Sequence, residues 1–387
     1  MNKPTTILIF TDWYVPGYRA GGPIQSVYNL AKLLSKNFDV KVVTRITDYA
    51  SIEPYGGVSA DVWTSLDSQH EVLYIASENL NIKTIRNLCK THKSDVILIN
   101  GLFSFYFSIL PLFFANFYGA VKTFVAVRGM LHQSALKVKP LKKQLFLAFA
   151  RGFGLYRTTT LLSTSNFEDK EIKNVLGAVK IVSAPNIPLL PDKNFNFSNK
   201  AFKSDVGVLR LLFLGRISPE KNPVMVLKAL KNSKEKIHIS FAGAGIDEAY
   251  QQVFDNELKA MPKNIEVTCL NELPHTAILN LFNHTDVMIL PSHGENFGHA
   301  IFESLAYATP VIISNNTPWK LMQESMAGIE VNADSIEEIS NAISFFNTME
   351  LPTYRLWQEG ALNKALDYID KNDFENRYGN IFHPNLS

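Results

Sequence analysis

The sequence predicts an α/β protein built from two doubly wound domains with parallel sheets. Short apolar runs alternate with segments whose apolar residues recur every three or four positions, as in strands that alternate with helices. This alternation fills both halves of the chain, and a segment rich in Pro, Asn, Lys and Ser separates them. At 387 residues the chain is long enough for two cores. We therefore predict a first domain over 1–190, a linker over 191–206 and a second domain over 207–364.

The composition indicates a globular protein and restricts its partners. Hydrophobic residues make up 46% and charged residues 19% of the chain, which excludes a disordered protein. A net charge of only +2 argues against a nucleic-acid partner. The two cysteines, Cys89 and Cys269, lack metal-ligand spacing, so we expect a reducing, cytoplasmic compartment and no metal site.

The first domain opens with a buried strand over Thr6–Phe10, which is too short for the apolar core of a signal peptide. A long loop then leads to Gly21-Gly22-Pro23. Apolar residues at helical spacing follow over Ile24–Leu34, and proline suits the first helical position. A double glycine before a helix is a weak sign of ligand binding when taken alone. The next strand is predicted over Asp39–Thr44.

No charged residue occurs between Val96 and Val121, a length that could span a bilayer. Several residues interrupt the stretch: Gly101, Pro111, Asn116 and Gly119. We therefore predict a strand over Val96–Ile99 and a helix from about Phe103 to Tyr118 that is buried or faces a membrane.

A basic block overlaps this stretch. From Val96 to Phe167 the chain has no acidic residue and eight basic ones: Lys122, Arg128, Lys137, Lys139, Lys142, Lys143, Arg151 and Arg157. Such a block indicates a phosphate-bearing partner or an anionic membrane surface. Within it, 139–157 is predicted to be either an interfacial amphipathic helix or a helix docked on its own sheet with a solvated basic side. Our hypothesis is that this segment rests on a membrane that holds a lipid-linked acceptor.

The remaining elements continue the alternation. In the first domain we predict strands over 122–127, 161–164 and 180–183 and a helix over 166–176. In the second domain we predict strands over 209–214, 237–242 and 267–270, a helix over 335–346, and terminal helices over 354–378.

Two cations follow the first strand of the second domain. Arg216 and Lys221 lie five residues apart in a loop just before a helix. A guanidinium can bind two oxygens and an ammonium acts as a point charge, so the pair can clamp a diphosphate. Two solvated loop cations are the alternative. Farther on, Gly243-Ala244-Gly245 is a weak nicotinamide-binding pattern, because a third glycine at the required spacing is missing.

The most informative stretch is 287–313, which predicts a strand, a loop, a helix over Phe297–Tyr307 and a second strand. Gly298 at the helix start would let a ligand approach backbone N–H groups that have no partner in the helix. Glu295 in the loop and Glu303 in the helix would reach two separate parts of a ligand. Carboxylates that accept bonds from sugar hydroxyls suit this arrangement, and two surface glutamates are the alternative.

This stretch, LPSHGENFGHAIFESLAYATPVIISNNTPW, resembles the E-x7-E element of retaining glycosyltransferases of family 4, with Glu295 and Glu303 at the acidic positions. Arg216 and Lys221 match the G-R-x4-K motif of the family. Ala308 stands where the family usually has glycine. The resemblance covers nearly the whole chain and is weakest at 45–95 and in the tail.

The resemblance implies the GT-B fold, in which two Rossmann-like domains face a central cleft and the tail, from about 365 to 387, packs back on the first domain. It implies a retaining hexosyltransferase that needs no metal or other cofactor. The donor would be a UDP- or GDP-linked sugar. The acceptor would be a glycan, lipid-linked in capsule, O-antigen or exopolysaccharide synthesis. The protein would be cytoplasmic, peripheral on the inner face of the membrane.

The resemblance also implies site residues. The catalytic group would comprise Arg216, Lys221 and Glu295. The donor-binding residues would be Gly21, Gly22, Arg216, Lys221, Gly243, Leu273, Asn296, Phe297, Gly298 and Glu303. The acceptor side would include Asp12, Arg19, Arg128 and His132. Many relatives have histidine where Arg128 stands and others have Arg-Gly-Met-Leu. An arginine is a poor base, and His132 is then either a substitute base or a residue that shapes the acceptor site.

Two rival functions share this architecture. A nucleotide-sugar 2-epimerase would need the donor but no acceptor, and a non-catalytic subunit would bind the donor without consuming it. A nicotinamide-dependent dehydrogenase is a more distant alternative.

Overall fold

A computed structural model describes residues 4–67, 69–91, 94–119, 121–132, 135–136, 140–189, 200, 207–245 and 247–383. The chain forms two compact units: unit 1 comprises Met1–Ile187 and Asn372–Ser387, and unit 2 comprises Pro188–Lys371. Each unit is built around a largely parallel sheet with helices, which confirms the predicted fold class. Apart from Lys200, the predicted linker lies outside the described residues, as do Lys137 and Lys139 of the basic block.

Unit 1 contains an eight-stranded sheet in the order β3-β4-β2-β1-β5-β6-β7-β8. Its strands are β1 Thr6–Phe10, β2 Asp39–Arg45, β3 Trp63–Leu66, β4 His70–Ile75, β5 Val96–Asn100, β6 Lys122–Ala126, β7 Thr160–Ser163 and β8 Lys180–Ser183. All pairings are parallel except that of β3 with β4. Strands β1 and β5 lie at the centre and are buried along their whole length, which explains their unbroken apolar sequences.

Within the described part of unit 1, these helices precede the crossing to unit 2: α1 Gly22–Leu34, α2 Ile82–Thr91, α3 Leu110–Tyr118, α4 Pro140–Gly152 and α5 Asn166–Leu176. A π-helical turn, Phe105–Ile109, leads into α3 and completes the helix predicted from about Phe103. Across the described residues, the structure contains no helix with the length and apolarity needed to span a bilayer.

Unit 2 contains a six-stranded parallel sheet in the order β11-β10-β9-β12-β13-β14. Its strands are β9 Leu209–Leu214, β10 Ile237–Ala242, β11 Ile265–Leu270, β12 Val287–Leu290, β13 Val311–Ser314 and β14 Gly328–Val331. Its helices are α6 Pro223–Leu230, α7 Glu248–Lys259, α8 His275–Phe282, α9 His299–Ala306, α10 Ile336–Thr348 and α11 Leu351–Asn372. Because the strands are parallel, their carboxyl ends meet at one edge, where ligands bind in such sheets.

After unit 2 the chain returns to unit 1 through α12, Phe374–Phe382. Tyr378 donates a hydrogen bond of 2.7 Å to the carbonyl oxygen of Pro185. Phe382 packs edge-on against Phe124 of β6, with ring centroids 4.9 Å apart. The core of unit 1 is therefore completed by residues that follow unit 2 in the sequence.

Candidate functional site

The loop that follows β9 presents two cations at the carboxyl edge of the unit 2 sheet. The Nζ of Lys221 lies 2.6 Å from Oε1 of Glu295, and both side chains are largely buried. The guanidinium of Arg216 lies 3.6 Å from Glu220, and both of these side chains are about half exposed. The loop therefore holds one cation against a buried carboxylate and leaves the other near the solvent.

A buried asparagine fixes this loop. Asn222 precedes α6 in the left-handed conformation with φ 62°. Its side-chain amide donates hydrogen bonds to the carbonyl oxygens of Pro291 (3.3 Å) and Ala333 (2.8 Å). These bonds tie the Lys221 loop to the segments after β12 and after β14, and the sequence analysis did not identify Asn222 as part of the site. Its position between Lys221 and a proline was the available signal.

Gly243 allows the loops after β9 and β10 to touch. It has φ 140°, and a Cβ atom there would collide with the backbone carbonyl of Gly215. The amide of Ile217 donates a hydrogen bond of 3.0 Å to the carbonyl oxygen of Ala244. Gly243 thus has a structural reason to be glycine in addition to its predicted role near a donor.

His293, in the loop after β12, links the loops that follow β9 and β14. One ring nitrogen lies 2.8 Å from the carbonyl oxygen of Pro219, and the other lies 3.0 Å from Asp334. Burial alone would lower the pKa of this imidazole, but the two hydrogen bonds outweigh burial and raise the pKa above its usual value of 6.5.

The segment before α9 is shaped by an aromatic cluster. The helix begins at His299, two residues later than predicted, because Phe297 is buried against Trp319 and Tyr368. The indole of Trp319 also donates a hydrogen bond of 2.6 Å to the carbonyl oxygen of Phe297. Gly298 then turns the chain into the helix with φ 79°. Asn296 lies between Glu295 and this cluster and is exposed.

Glu303 has a histidine partner that the sequence analysis missed. The carboxylate is buried in α9, and its Oε1 lies 2.9 Å from Nε2 of His275. His275 is the first residue of α8 and follows Leu273, whose side chain packs against the core of unit 2. The predicted donor residues of unit 2 thus follow four neighbouring strands, β9 to β12, and lie at one sheet edge.

In unit 1, Arg128 is held by two amide side chains. It follows β6 in the left-handed conformation with φ 56°. Its Nε donates a hydrogen bond of 3.1 Å to Oδ1 of Asn100, and its Nη1 donates one to Oδ1 of Asn186. Both asparagines are buried. They are distant from Arg128 in the sequence, so only folding reveals them as its partners.

The other predicted residues of unit 1 have separate neighbours. Asp12 forms an ion pair with Arg45 and accepts a hydrogen bond of 2.9 Å from Ser104. The backbone N–H of Arg19 donates to the carboxylate of Asp48 at 3.1 Å. His132 lies 3.9 Å from Glu171. Asp12 is therefore engaged in an internal ion pair.

Gly21 and Gly22 introduce α1. Gly21 has φ 67°, and Pro23 follows at the beginning of the helix, as predicted. Farther along α1, the side-chain amide of Asn29 donates a hydrogen bond of 3.0 Å to the carbonyl oxygen of Ile187. The helix is thus fastened to the last residues of unit 1 before the crossing.

Comparison with known proteins agrees with this geometry. Residues 194–363, which include every predicted site residue of unit 2, match the family model described as Glycosyl transferases group 1. The GT-B fold is shown by solved structures that align over nearly the whole chain. These findings support a glycosyltransferase of the GT-B type.

Two solved structures illustrate the likeness. Sucrose-phosphate synthase from Thermosynechococcus elongatus has a TM-score of 0.69 at 15% identity, over 98% of both chains. The Anabaena protein Alr3699/HepE, solved in complex with UDP and glucose, has a TM-score of 0.66 at 14% identity, over 97% of this chain and 98% of that one.

Sequence relatives include an uncharacterized 41.2 kDa protein in the cps region of Klebsiella pneumoniae. It is 22% identical over 342 residues, which cover 82% of this chain and 90% of that protein. A 2-deoxystreptamine N-acetyl-D-glucosaminyltransferase of Niallia circulans is 28% identical over 112 residues, which cover 29% of this chain and 28% of that protein. The second likeness spans less than a third of either protein.

Proposed function

We propose that this chain is a retaining hexosyltransferase that moves a sugar from a nucleotide-diphosphate sugar to an acceptor hydroxyl. The observation that carries the proposal is the pair of contacts at the unit 2 sheet edge. Lys221 meets Glu295, and His275 meets Glu303, so a cation and two carboxylates lie together where the loops leave the strands. A nucleotide sugar needs both kinds of group, because its diphosphate is anionic and its two sugar rings carry hydroxyls.

In this proposal the two cations hold the diphosphate. When the anomeric carbon–oxygen bond breaks, both bonding electrons stay with the departing diphosphate, whose negative charge increases. Fixed positive groups stabilise that charge as it develops. Arg216 and Lys221 supply such groups from one loop, so the proposed reaction needs no metal ion. The acceptor oxygen forms the new bond to the anomeric carbon, and its proton passes to the oxygen of the departing diphosphate.

The carboxylates hold the two sugars. Glu303 would accept bonds from the ribose hydroxyls, and Glu295 with the backbone of Phe297 and Gly298 would bind the transferred sugar. In the structure, Glu295 accepts a hydrogen bond of 2.6 Å from Lys221. Donor binding would therefore exchange partners: Lys221 turns to a phosphate oxygen, and Glu295 becomes available to a sugar hydroxyl.

We further propose that the nucleotide is UDP or GDP and that the acceptor is a lipid-linked glycan in surface polysaccharide synthesis. The relative from a cps region supports this pathway, and an Anabaena neighbour was solved with UDP. The basic block between Val96 and Phe167 supports an acceptor at an anionic membrane, with the protein in the cytoplasm on its inner face.

A thermal-shift series tests the donor first. A ligand that binds only the folded state raises the melting temperature, by an amount that grows with the ratio of concentration to Kd. Either UDP or GDP, together with its sugars, should raise the melting temperature of the wild type. Adenosine and inorganic phosphate should not. Absence of a shift with every nucleotide diphosphate and every sugar nucleotide would contradict the proposal.

Product analysis with the stabilising donor then separates the rivals. Transfer yields nucleoside diphosphate together with a glycan extended by one sugar. An epimerase would return a donor with altered sugar configuration and would need no acceptor. A binding subunit would leave the donor intact.

A further inference from the structure

Helix α4 is docked on unit 1 by one face. Leu147 and Ala150 are buried, and the ring of Phe146 lies 5.9 Å from that of Phe103. Lys143 points the same way: its Nζ lies 5.1 Å from the centre of the Phe103 ring and donates to the carbonyl oxygen of Ala135. The apolar residues on this side explain why the helix packs against its own domain.

The opposite face of α4 is also apolar, and it faces solvent. Leu141, Leu145, Phe149 and Phe153 are spaced four residues apart and are 81%, 75%, 51% and 76% exposed. We call these four residues the outer face of α4. At about 100° per residue the three that lie within the helix fall inside an arc of about 80°. The solvent side of α4 is therefore not purely basic, because it carries this apolar strip beside its exposed cations.

The exposed apolar surface continues on α3. The side-chain amide of Asn116 donates a hydrogen bond of 2.7 Å to the carbonyl oxygen of Leu155, just beyond α4. On either side of Asn116 in α3, Phe113 and Phe117 are exposed. Large apolar side chains exposed together in this way are typical of an interaction surface.

Cations border the outer face of α4 on both sides. Lys142 and Arg151 are exposed and lie on opposite flanks of the strip at helical spacing. The nearest acids along the chain are on α5 and are engaged. Glu168 is buried and accepts from the amide of Thr164 at 2.6 Å, Asp169 accepts from Ser163, and Glu171 lies 3.9 Å from His132. Helix α4 itself carries Lys142, Lys143 and Arg151 and no acidic residue, so positive charge flanks the apolar strip.

We propose that the outer face of α4 docks unit 1 onto an anionic lipid bilayer. The apolar side chains would enter the boundary between headgroups and acyl chains, and Lys142 and Arg151 would meet the lipid phosphates. Charge decides against a second copy of this chain as the occupant, since two such basic surfaces repel each other. This inference rests on the proposed function only for the acceptor that the membrane would carry.

Vesicle co-sedimentation of the full chain, without donor or acceptor, tests the proposal. The probes are vesicles of phosphatidylcholine alone and vesicles of phosphatidylcholine mixed with phosphatidylglycerol. The wild type should bind the mixed vesicles and bind phosphatidylcholine at least tenfold more weakly, and added salt should weaken binding. Equal binding to both vesicles, or binding to neither, would overturn the proposal.

Matched variants locate the surface. L145E/F149E should lower binding to the mixed vesicles at least tenfold, since it places carboxylates in the apolar strip. L356E/L366E changes two exposed leucines of α11 in unit 2 and should bind as the wild type does. K142Q/R151Q should lose the preference for anionic vesicles. Unchanged binding by L145E/F149E, with a circular-dichroism melting curve like that of the wild type, would overturn the proposal.

Two further measurements separate the remaining outcomes. Sedimentation equilibrium without vesicles should show the same oligomeric state for the wild type and L145E/F149E. A dimer that only the wild type forms would assign the surface to a second copy and overturn the membrane proposal. Sugar transfer is assayed separately with lipid-linked and with water-soluble acceptors, so a chain that binds vesicles but transfers sugar to neither would refute the proposed function and leave this inference standing.

Discussion

The two units hold their site cations in different ways. At the unit 2 sheet edge, Lys221 is paired with the carboxylate of Glu295 and Arg216 lies near that of Glu220. In unit 1, Arg128 is held by the amide oxygens of Asn100 and Asn186. A carboxylate cancels the charge of its partner, whereas an amide oxygen orients a guanidinium and leaves its charge in place. At the unit 2 site, an anionic ligand must therefore displace a carboxylate from Lys221. In unit 1, the positive charge of Arg128 is already available to a ligand.

Lysine 221 should show the largest effect. Lys221→Ala removes the cation that would meet the departing diphosphate, and losing one such group costs about 3 kcal/mol of transition-state stabilisation, about a hundredfold in kcat. Lys234→Ala, an exposed cation of unit 2, is the matched control and should leave kcat unchanged. Wild-type turnover in a folded Lys221→Ala protein would show that the cation of the unit 2 site does not stabilise the departing diphosphate.

Lys200 tests what burial does to a cation that hydrogen-bonds to the neutral oxygens of Tyr307 and Thr309. It is buried, bonds Thr309 and the carbonyl oxygen of Tyr307, and burial lowers its pKa from 10.5 to about 7. Above pH 7 the unfolded chain still binds this proton and the folded chain does not, so stability rises with pH, by about 1.4 kcal/mol per unit.

Denaturant unfolding between pH 7 and 9 measures this slope. Lys200→Met should flatten it and should raise the free energy of unfolding most at pH 7, because within this pH range the loss of the lysine proton on folding is most costly there. Lys234→Met should keep the wild-type slope. An unchanged slope in Lys200→Met would show that Lys200 stays charged in the folded protein.

Asn100→Asp should make the unit 1 site resemble that of unit 2. The new carboxylate would neutralise Arg128 without changing the size of the side chain. If the free charge of Arg128 attracts an anionic acceptor, the KM for a phosphate-bearing acceptor should rise about tenfold, equivalent to about 1.4 kcal/mol. The melting-temperature shift produced by the donor nucleotide should not change. A neutral acceptor serves as the control, and equal KM changes for both acceptors would refute the charge argument.

Glu295→Gln makes the reverse change, and its effect on nucleotide binding is the smallest change that we predict. Lys221 would then be held by an amide, so a nucleoside diphosphate would no longer compete with a carboxylate for the ammonium. We expect its Kd to fall about threefold, or roughly 0.6 kcal/mol, while turnover decreases because the donor sugar loses a ligand. Isothermal titration measures the first effect. Weaker binding of the nucleotide would show that the ion pair helps to build the site.

Local sequence predicted the strands and the loops that leave them, because buried parallel strands and glycine-bounded loops have short-range signatures. Lys221, Glu295 and Glu303 were found for that reason, although their roles stay predictions. Partners such as His275 for Glu303 could not be found, because no local pattern joins residues 28 positions apart. The pairing depends on which strands become neighbours.

Other differences have equally physical causes. The region 45–95 gave no elements. Its edge strand β3 is short and lacks a buried apolar run, whereas β4 has one that the sequence analysis missed. The helix of the E-x7-E element was predicted to start at Phe297, and aromatic packing delays it to His299. For α4 the apolar residues lie on two faces, so periodicity alone could not decide which face is covered.

The return of α12 to unit 1 has a consequence for the order of folding. Unit 2 is one continuous stretch, Pro188–Lys371, whereas unit 1 needs Phe374–Phe382 to cover β6 and to cap the backbone at Pro185. During synthesis the ribosome releases all of unit 2 before it releases that helix. Unit 1 is therefore translated first but completes its fold last. Until α12 has been synthesised, the apolar side of its sheet at β6 stays uncovered.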